Sequence, residues 1–244
     1  MTPNSQNPSP QLSERLDRTA IRTVFESSGR VHVPGIFTTQ SATRTFHALE
    51  SETPWQISLN SGERNVNLPL EQLRLTPPAD QVLLVDTVHR AATQGFQYLF
   101  ASFPLFDLHL ARQFPGHYLM RVCEFLNSSE FLQFAREATG FDDINLVDAQ
   151  ATLFRPGHFL TAHDDFQAGK ERLAAYVLNF TPRWRVDWGG ILQFIDVDGH
   201  VAEGFTPAFN ALNLLRVPQK HCVSYVTPTA EVGRYSITGW LRRS

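Results

Sequence analysis

Cysteine is scarce in this sequence: of 244 residues only Cys123 and Cys222 are cysteines, too few for a disulfide framework. A chain of this length can bury a sizeable core without one. Apolar runs are short, and none approaches the roughly 20 residues that a membrane-spanning helix requires. Nor is there an excess of either charge. Lys and Arg total 21 against 24 Asp and Glu, a net charge of −3, and no basic stripe stands ready to meet phosphates. Neither nucleic acid nor membrane is therefore an expected partner, and the pairs Arg183/Arg185 and Arg242/Arg243 read as solvated surface. The first residues, MTPNSQNPSPQ, lack the charged and apolar blocks of a secretory signal, so the expectation is a reduced, cytoplasmic protein.

Residues 1–11 hold Pro, Ser, Asn and Gln with little to bury and are expected to form a disordered tail before one folded domain, 12–244. Its first part, 12–146, is expected to supply helical support and the substrate mouth. Leu16, Ala20 and Val24, with Ile21 and Phe25 beside them, recur at helical spacing from Leu12 onward. Val31 and Val33 alternate before Pro34-Gly35, which predicts a strand and a turn. Further helices are expected over 41–49, then from Asp80 as a cap through Val85, Val88, Ala92, Phe96 and Leu99. Another should run from Asn127, paired with Glu130 as a capping box, to Gly140.

Beyond Ile144 the pattern changes to short apolar runs, 173–178, 191–195, 211–217 and 222–226, separated by Pro, Gly, Asp and Asn. Helices followed by closely spaced strands predict an α+β chain, mainly β at its core, in which helices brace a β-sandwich or jelly roll.

Two segments of the β half carry chemistry. In FLTAHDDF, an extended backbone would turn His163 and Asp165 to one face and Asp164 away. An imidazole with a carboxylate is half of the 2-His-1-carboxylate triad of Fe(II) sites, although an isolated His-x-Asp is more often a surface turn. His221, 58 positions beyond His163, would complete it. Thirteen residues later the run Arg234-Tyr-Ser-Ile-Thr-Gly-Trp240 places Arg234, Ser236, Thr238 and Trp240 on one face of a strand, with Tyr235, Ile237 and Leu241 on the other. The first face could be plain surface, or a dicarboxylate pocket in which a guanidinium fork grips carboxylate. The order His-x-Asp, distant His, Arg-x-Ser favours the pocket.

At these residues the chain resembles the 2-oxoglutarate/Fe(II) oxygenases, and within them the prolyl hydroxylases of the hypoxia-sensing and ribosomal or elongation-factor kinds. The resemblance covers about residues 147–242, through PGHFLTAHDD, RLAAYVLNFTPRW, WGGILQF and GRYSITGW. It implies a double-stranded β-helix over 147–244, with His163, Asp165 and His221 as iron ligands and catalytic centre. It implies Arg234 as the anchor for 2-oxoglutarate, with Ser236, Thr238 and Trp240 around it. The cofactors implied are Fe(II), 2-oxoglutarate and O2, with ascorbate as a reductant, and the products are succinate, CO2 and a hydroxylated substrate. Gly189-Gly190 corresponds to the turn that admits a strand to the barrel. One departure stands out: where the family often has a tyrosine that reaches 2-oxoglutarate, this chain has Phe154, and Tyr176 is the candidate substitute.

A prolyl residue in a protein is the first expected substrate, and a free amino acid or small metabolite the second. An aspartate at 165 favours hydroxylation over halogen transfer, which needs a small residue there. Two rivals stand beside this view: a non-catalytic β-barrel that binds metal or carboxylate, and a zinc enzyme, for which the Arg234 strand would have no role. Substrate identity and oligomeric state are not written in the sequence.

Overall fold

A computed structural model describes residues 8–62 and 64–243. Residues 1–7 of the expected tail lie outside the described residues. The last of that tail is already docked: Pro10 is buried, and the Gln11 N–H donates to Ser41 Oγ. Leu12 bridges to Phe37 instead of opening a helix. The first helix, α1 (Arg18–Ser28), starts later because Asp17 caps it by accepting from the Ala20 N–H. It ends at Gly29, whose φ of 72° suits glycine. Ile21 and Phe25 face the core, whereas Val24, expected among them, is 47% exposed.

Strand β1 (Arg30–Pro34) and helix α2 (Thr39–His47) follow as expected, the latter continuing into one π-helical turn, Ala48–Glu52. The next stretch departs from the expectation of helices alone. A hairpin of β2 (Gln56–Ser61) and β3 (Arg64–Pro69) precedes α3 (Leu70–Leu75) and α4 (Pro78–Ala92). Helix α4 begins two residues before Asp80, because a proline at the first position has its φ already set. Asp80 sits instead in the first turn, where the helix dipole favours a carboxylate. The helix stops at Ala92, so Phe96 and Leu99 fall outside it, and Leu99 belongs to β4 (Tyr98–Phe103).

After α5 (Leu105–Leu110) come α6 (Tyr118–Leu126) and α7 (Ser129–Thr139). Ser128, not Asn127, caps α7 by accepting from the Phe131 N–H. Asn127 closes α6, and its side-chain carbonyl accepts from the Val147 N–H, tying the helices to the sheet.

The β half comprises β5 (Leu146–Val147), β6 (Gln150–Phe154), β7 (Phe159–His163), β8 (Arg172–Asn179) and β9 (Leu192–Ile195). It continues with β10 (Val201–Phe205), β11 (Ala211–Arg216), β12 (His221–Val223) and β13 (Arg234–Arg242). Every ladder is antiparallel, and the strands run in the order β1-β11-β8-β13-β6-β4-β7-β12-β9-β10. The sheet rolls into a nearly closed jelly-roll barrel. Strands from both halves of the chain build it, β1 pairing with β11 and β4 lying between β6 and β7.

The main core lies between the outer face of this sheet and the helices. Seven of the nine residues of α6 are buried there, with Phe25, Phe131, Tyr176 and Ile237. Each large apolar side chain so buried contributes roughly 2 kcal/mol before entropy is charged against it. Two smaller apolar groups, one around Phe100, Phe154 and Val223 and one around Leu192, Phe194 and Leu215, fill the barrel and leave a cavity between them.

Candidate active site

The ladder between β7 and β12 sets His163 opposite His221, with ring centroids 4.2 Å apart. Strand β7 stops at His163, and Asp165 follows with φ of 64°, a left-handed conformation. The pleat expected to align His163 with Asp165 is therefore absent, and a turn swings the carboxylate inward instead. Its Oδ1 lies 3.5 Å from His163 Nε2 and its Oδ2 lies 3.5 Å from His221 Nε2. Asp164 points away as expected, its carboxylate accepting from the Phe166 N–H.

Both imidazoles are oriented by backbone carbonyls. His163 Nδ1 lies 3.0 Å from the Thr161 carbonyl and His221 Nδ1 lies 2.7 Å from the Gln219 carbonyl. A carbonyl only accepts, so each Nδ1 carries a proton, and each Nε2 is the ring nitrogen turned toward the Asp165 carboxylate. Candidate ligand atoms of the three residues all lie within 4.8 Å of one another. Burial pulls His163 down, but its hydrogen bond to Asp165 and that carboxylate's charge outweigh it, and its pKa ends above the ordinary value. Burial and then the His163 charge hold His221 below its own. Asp165 is driven upward by burial yet finishes low, through His163, His221 and Arg172.

From this cluster a cavity of about 90 Å³ runs into the barrel toward Arg234. Arg234, Ser236, Thr238 and Trp240 of β13 line it, while Tyr235, Ile237 and Leu241 join the main core, so the period-two division of this strand holds. Arg234 is 2% exposed, no carboxylate pairs with it among the described residues, and its Nε has no partner. Burial alone lowers its pKa to about 10. Its Nη1 lies 3.5 Å from Ser236 Oγ, a long contact, and Ser236 Oγ lies 2.9 Å from Thr152 Oγ1. The Thr238 hydroxyl is committed to the Tyr176 carbonyl.

Tyr176 does not reach this cavity. Ala175 and Val177 of β8 line it, so the residue between them points outward, and the Tyr176 hydroxyl donates to the Asp148 carbonyl at 2.7 Å in the main core. Phe154 pairs with Arg234 across β6 and β13, its ring 5.0 Å from the guanidinium and stacked on Phe100. The Tyr176 hydroxyl therefore does not stand in for the missing tyrosine at that point. Gln150 and Thr152 line the cavity from the same face of β6 as Phe154, and the alternation counted back from Phe154 would have found them.

Gly189 and Gly190, with φ of 68° and 61°, make the turn into β9. A Cβ at Gly189 would stand 2.0 Å from the Tyr225 carbonyl oxygen, so no other residue fits. Outside the inner cavity a wider mouth of about 560 Å³ opens past Trp240, Phe96, Tyr98 and Phe100, with Gln56, Ser58, Asn65 and Asn67 of the β2–β3 hairpin on one wall.

Residues 149–242 match the family model described as the 2OG-Fe(II) oxygenase superfamily. The β core is thus similar to the 2OG-Fe(II) oxygenases over those residues. A prolyl 3-hydroxylase of Mus musculus, OGFOD1, is 30% identical over 118 residues, which is 46% of this chain and 21% of that protein. The chain thus spans about a fifth of that relative's length. A Pseudomonas putida prolyl-4-hydroxylase superposes with a TM-score of 0.59 at 18% identity, over 93% of this chain and 99% of its own. A Trichoplax adhaerens prolyl hydroxylase, solved with a hypoxia inducible factor oxygen degradation domain peptide fragment, gives 0.60 at 13% identity over 93% and 89%. These two likenesses establish the fold.

The cofactors that such a core implies are Fe(II), 2-oxoglutarate and O2, and the residues present fit them. Two imidazoles and one carboxylate form an iron-type donor set that leaves coordination positions open. The orphaned guanidinium of Arg234 offers a fork to the far carboxylate of a small diacid. No described helix is long and apolar enough to cross a membrane.

Proposed function

We propose that this chain hydroxylates a prolyl residue of a protein, using O2 and 2-oxoglutarate and releasing succinate and CO2. The observation that carries this is the pairing of two features in one cavity: a His-Asp-His cluster at one end and, at the other, a buried cation with no counter-ion among the described residues. A zinc hydrolase would give Arg234 nothing to hold, and a diacid cosubstrate gives it a partner.

In this assignment His163, Asp165 and His221 hold Fe(II), which when bound supplies the oxidising chemistry. Arg234 binds the distal carboxylate of 2-oxoglutarate, and Ser236, joined to Thr152, offers a hydroxyl beside it. Phe154 and Phe100 shield the guanidinium from water, which strengthens its hold on an anion. The inner cavity is too small for a peptide, so the polypeptide substrate stays at the mouth. There, Phe96, Tyr98 and Trp240 offer ring faces to a pyrrolidine, and Gln56, Asn65 and Asn67 offer amides to peptide groups. The prolyl target also draws on the likeness to the prolyl 3-hydroxylase.

The test is incubation with Fe(II), ascorbate and O2, with and without 2-oxoglutarate, in extract from cells lacking the protein. A cosubstrate-dependent gain of one oxygen on a prolyl residue, lost in Asp165→Ala, is the expected result. A gain only among small molecules would move the substrate to a metabolite. A coloured anaerobic Fe(II)/2-oxoglutarate complex with no turnover on any substrate would make the barrel a binding module.

A further inference from the structure

We infer that Arg172 is a positioning residue for the metal centre: seated on the Trp240 indole, it holds the Asp165 carbonyl and thereby fixes the turn that aims the carboxylate between His163 and His221. This rests on the assignment of those three residues as metal ligands.

Asp165 is the one ligand not held by a strand. It lies beyond the end of β7 in a left-handed conformation that L-residues disfavour, and its neighbours Asp164 and Phe166 are exposed. Something has to over-determine that backbone if the carboxylate is to keep its aim. Arg172 Nη1 donates to the Asp165 carbonyl at 3.0 Å, closing a seven-residue loop at its base. Apart from that carbonyl, no hydrogen-bond acceptor takes the Arg172 side chain among the described residues, and its Nε is buried without a partner. The nearby carboxylate of Asp148 is instead engaged by Arg242, at 3.1 and 3.2 Å.

The guanidinium is itself held from below. Its central carbon stands 3.5 Å from the centroid of the Trp240 ring, close enough for a stacked cation–π contact. A flat guanidinium can stack by its face and donate by its edge at once, which an ammonium cannot. Arg172 opens β8, and Trp240 lies on β13, the strand that carries Arg234. The chain of contact thus runs from the cosubstrate strand, through Trp240 and Arg172, to the one ligand outside a strand.

The test uses the full chain freed of metal and titrated with Co(II) alone, whose visible absorption reports its own coordination, so that neither substrate nor turnover enters. Losing an outer partner of a ligand typically weakens metal binding 10- to 100-fold. Arg172→Met, which keeps the stem over Trp240 but not the donor, should raise the Co(II) dissociation constant by about tenfold or more. Arg172→Lys should raise it by less, through partial rescue of the donor. Circular dichroism of both metal-free variants should match the parent, and Arg172→Lys decides the matter if Arg172→Met does not fold. Unchanged Co(II) affinity in the folded variants would overturn the inference, whatever happens to activity. Co(II) binding by His221→Ala as tight as the parent's would instead sink the metal assignment beneath it.

Discussion

Arg234 carries its charge into the barrel beside Phe154, and burial lowers its pKa to about 10. A base whose folded pKa is depressed destabilises the fold wherever both states hold the proton, here at every pH below about 10, and the penalty fades as pH rises through that value. Arg234→Met should therefore leave the cosubstrate-free protein as stable as the parent or more so, measured by thermal unfolding. The same variant should weaken 2-oxoglutarate binding by about 2–3 kcal/mol, read by calorimetry with Co(II) present. His158 behaves differently: burial holds its pKa down to about 4, so stability is lost as pH falls from the ordinary histidine range toward that value. With its ring partly open to solvent the loss is of the order of 2 kcal/mol, and His158→Asn should flatten the acid limb of a pH–stability profile. The residues legible beforehand were those whose chemistry is fixed by type and spacing. His163, Asp165, His221 and Arg234 come together as expected in one cavity. Tyr176 was misplaced because type alone cannot say which face of a strand meets the cavity, and one residue of parity sends its hydroxyl to Asp148. Arg172 left no signal, since it acts on a carbonyl that every residue possesses.

Among the elements, the β half was readable because its short apolar runs are set apart by turn residues, and β13 because Arg234, Ser236, Thr238 and Trp240 face the cavity while Tyr235, Ile237 and Leu241 face the core. Helix α6 escaped notice because its nine residues hold only two polar positions, Arg121 and Glu124, too short a pattern to mark a helix face. Strand β4 was missed because β6 and β7, which complete it, are distant in sequence, and the β2–β3 hairpin because β3 is largely exposed and carries no apolar run. Helix boundaries turned on single capping atoms. Ser128→Ala should remove the bond to the Phe131 N–H and cost about 1 kcal/mol, seen as a lowered unfolding midpoint with the site's metal affinity unchanged. Gly239→Ala is the harsher change at the same scale. Its Cβ would stand 2.0 Å from the Asp148 carbonyl, forcing β13 from the segment that leads into β6, and the loss should exceed 3 kcal/mol.

For the molecule as a whole, the helices on one side and the cavity on the other share the same sheet, so a ligand held by β13 stabilises the global fold. With Co(II) and 2-oxoglutarate each at about a hundredfold their dissociation constants, linkage gives about 2.7 kcal/mol per ligand. At this chain length that is a rise of roughly 5–10 °C per ligand, and at the same 2-oxoglutarate concentration its part should fall to about a third or less in Arg234→Met. The jelly-roll class was legible because helices precede closely spaced strands; the contribution of the first half to the barrel was not, because register between distant strands leaves no local mark. The hairpin wall of the mouth has its own consequence. Strand β3 pairs with β2 alone, and β2 joins the barrel through β4, while the iron-type ligands and Arg234 all follow residue 149. On the proposed reading, heredity can work on the two parts at different rates: drift in Gln56, Asn65 and Asn67 would change which target the mouth accepts and leave the His-Asp-His cluster and Arg234 untouched.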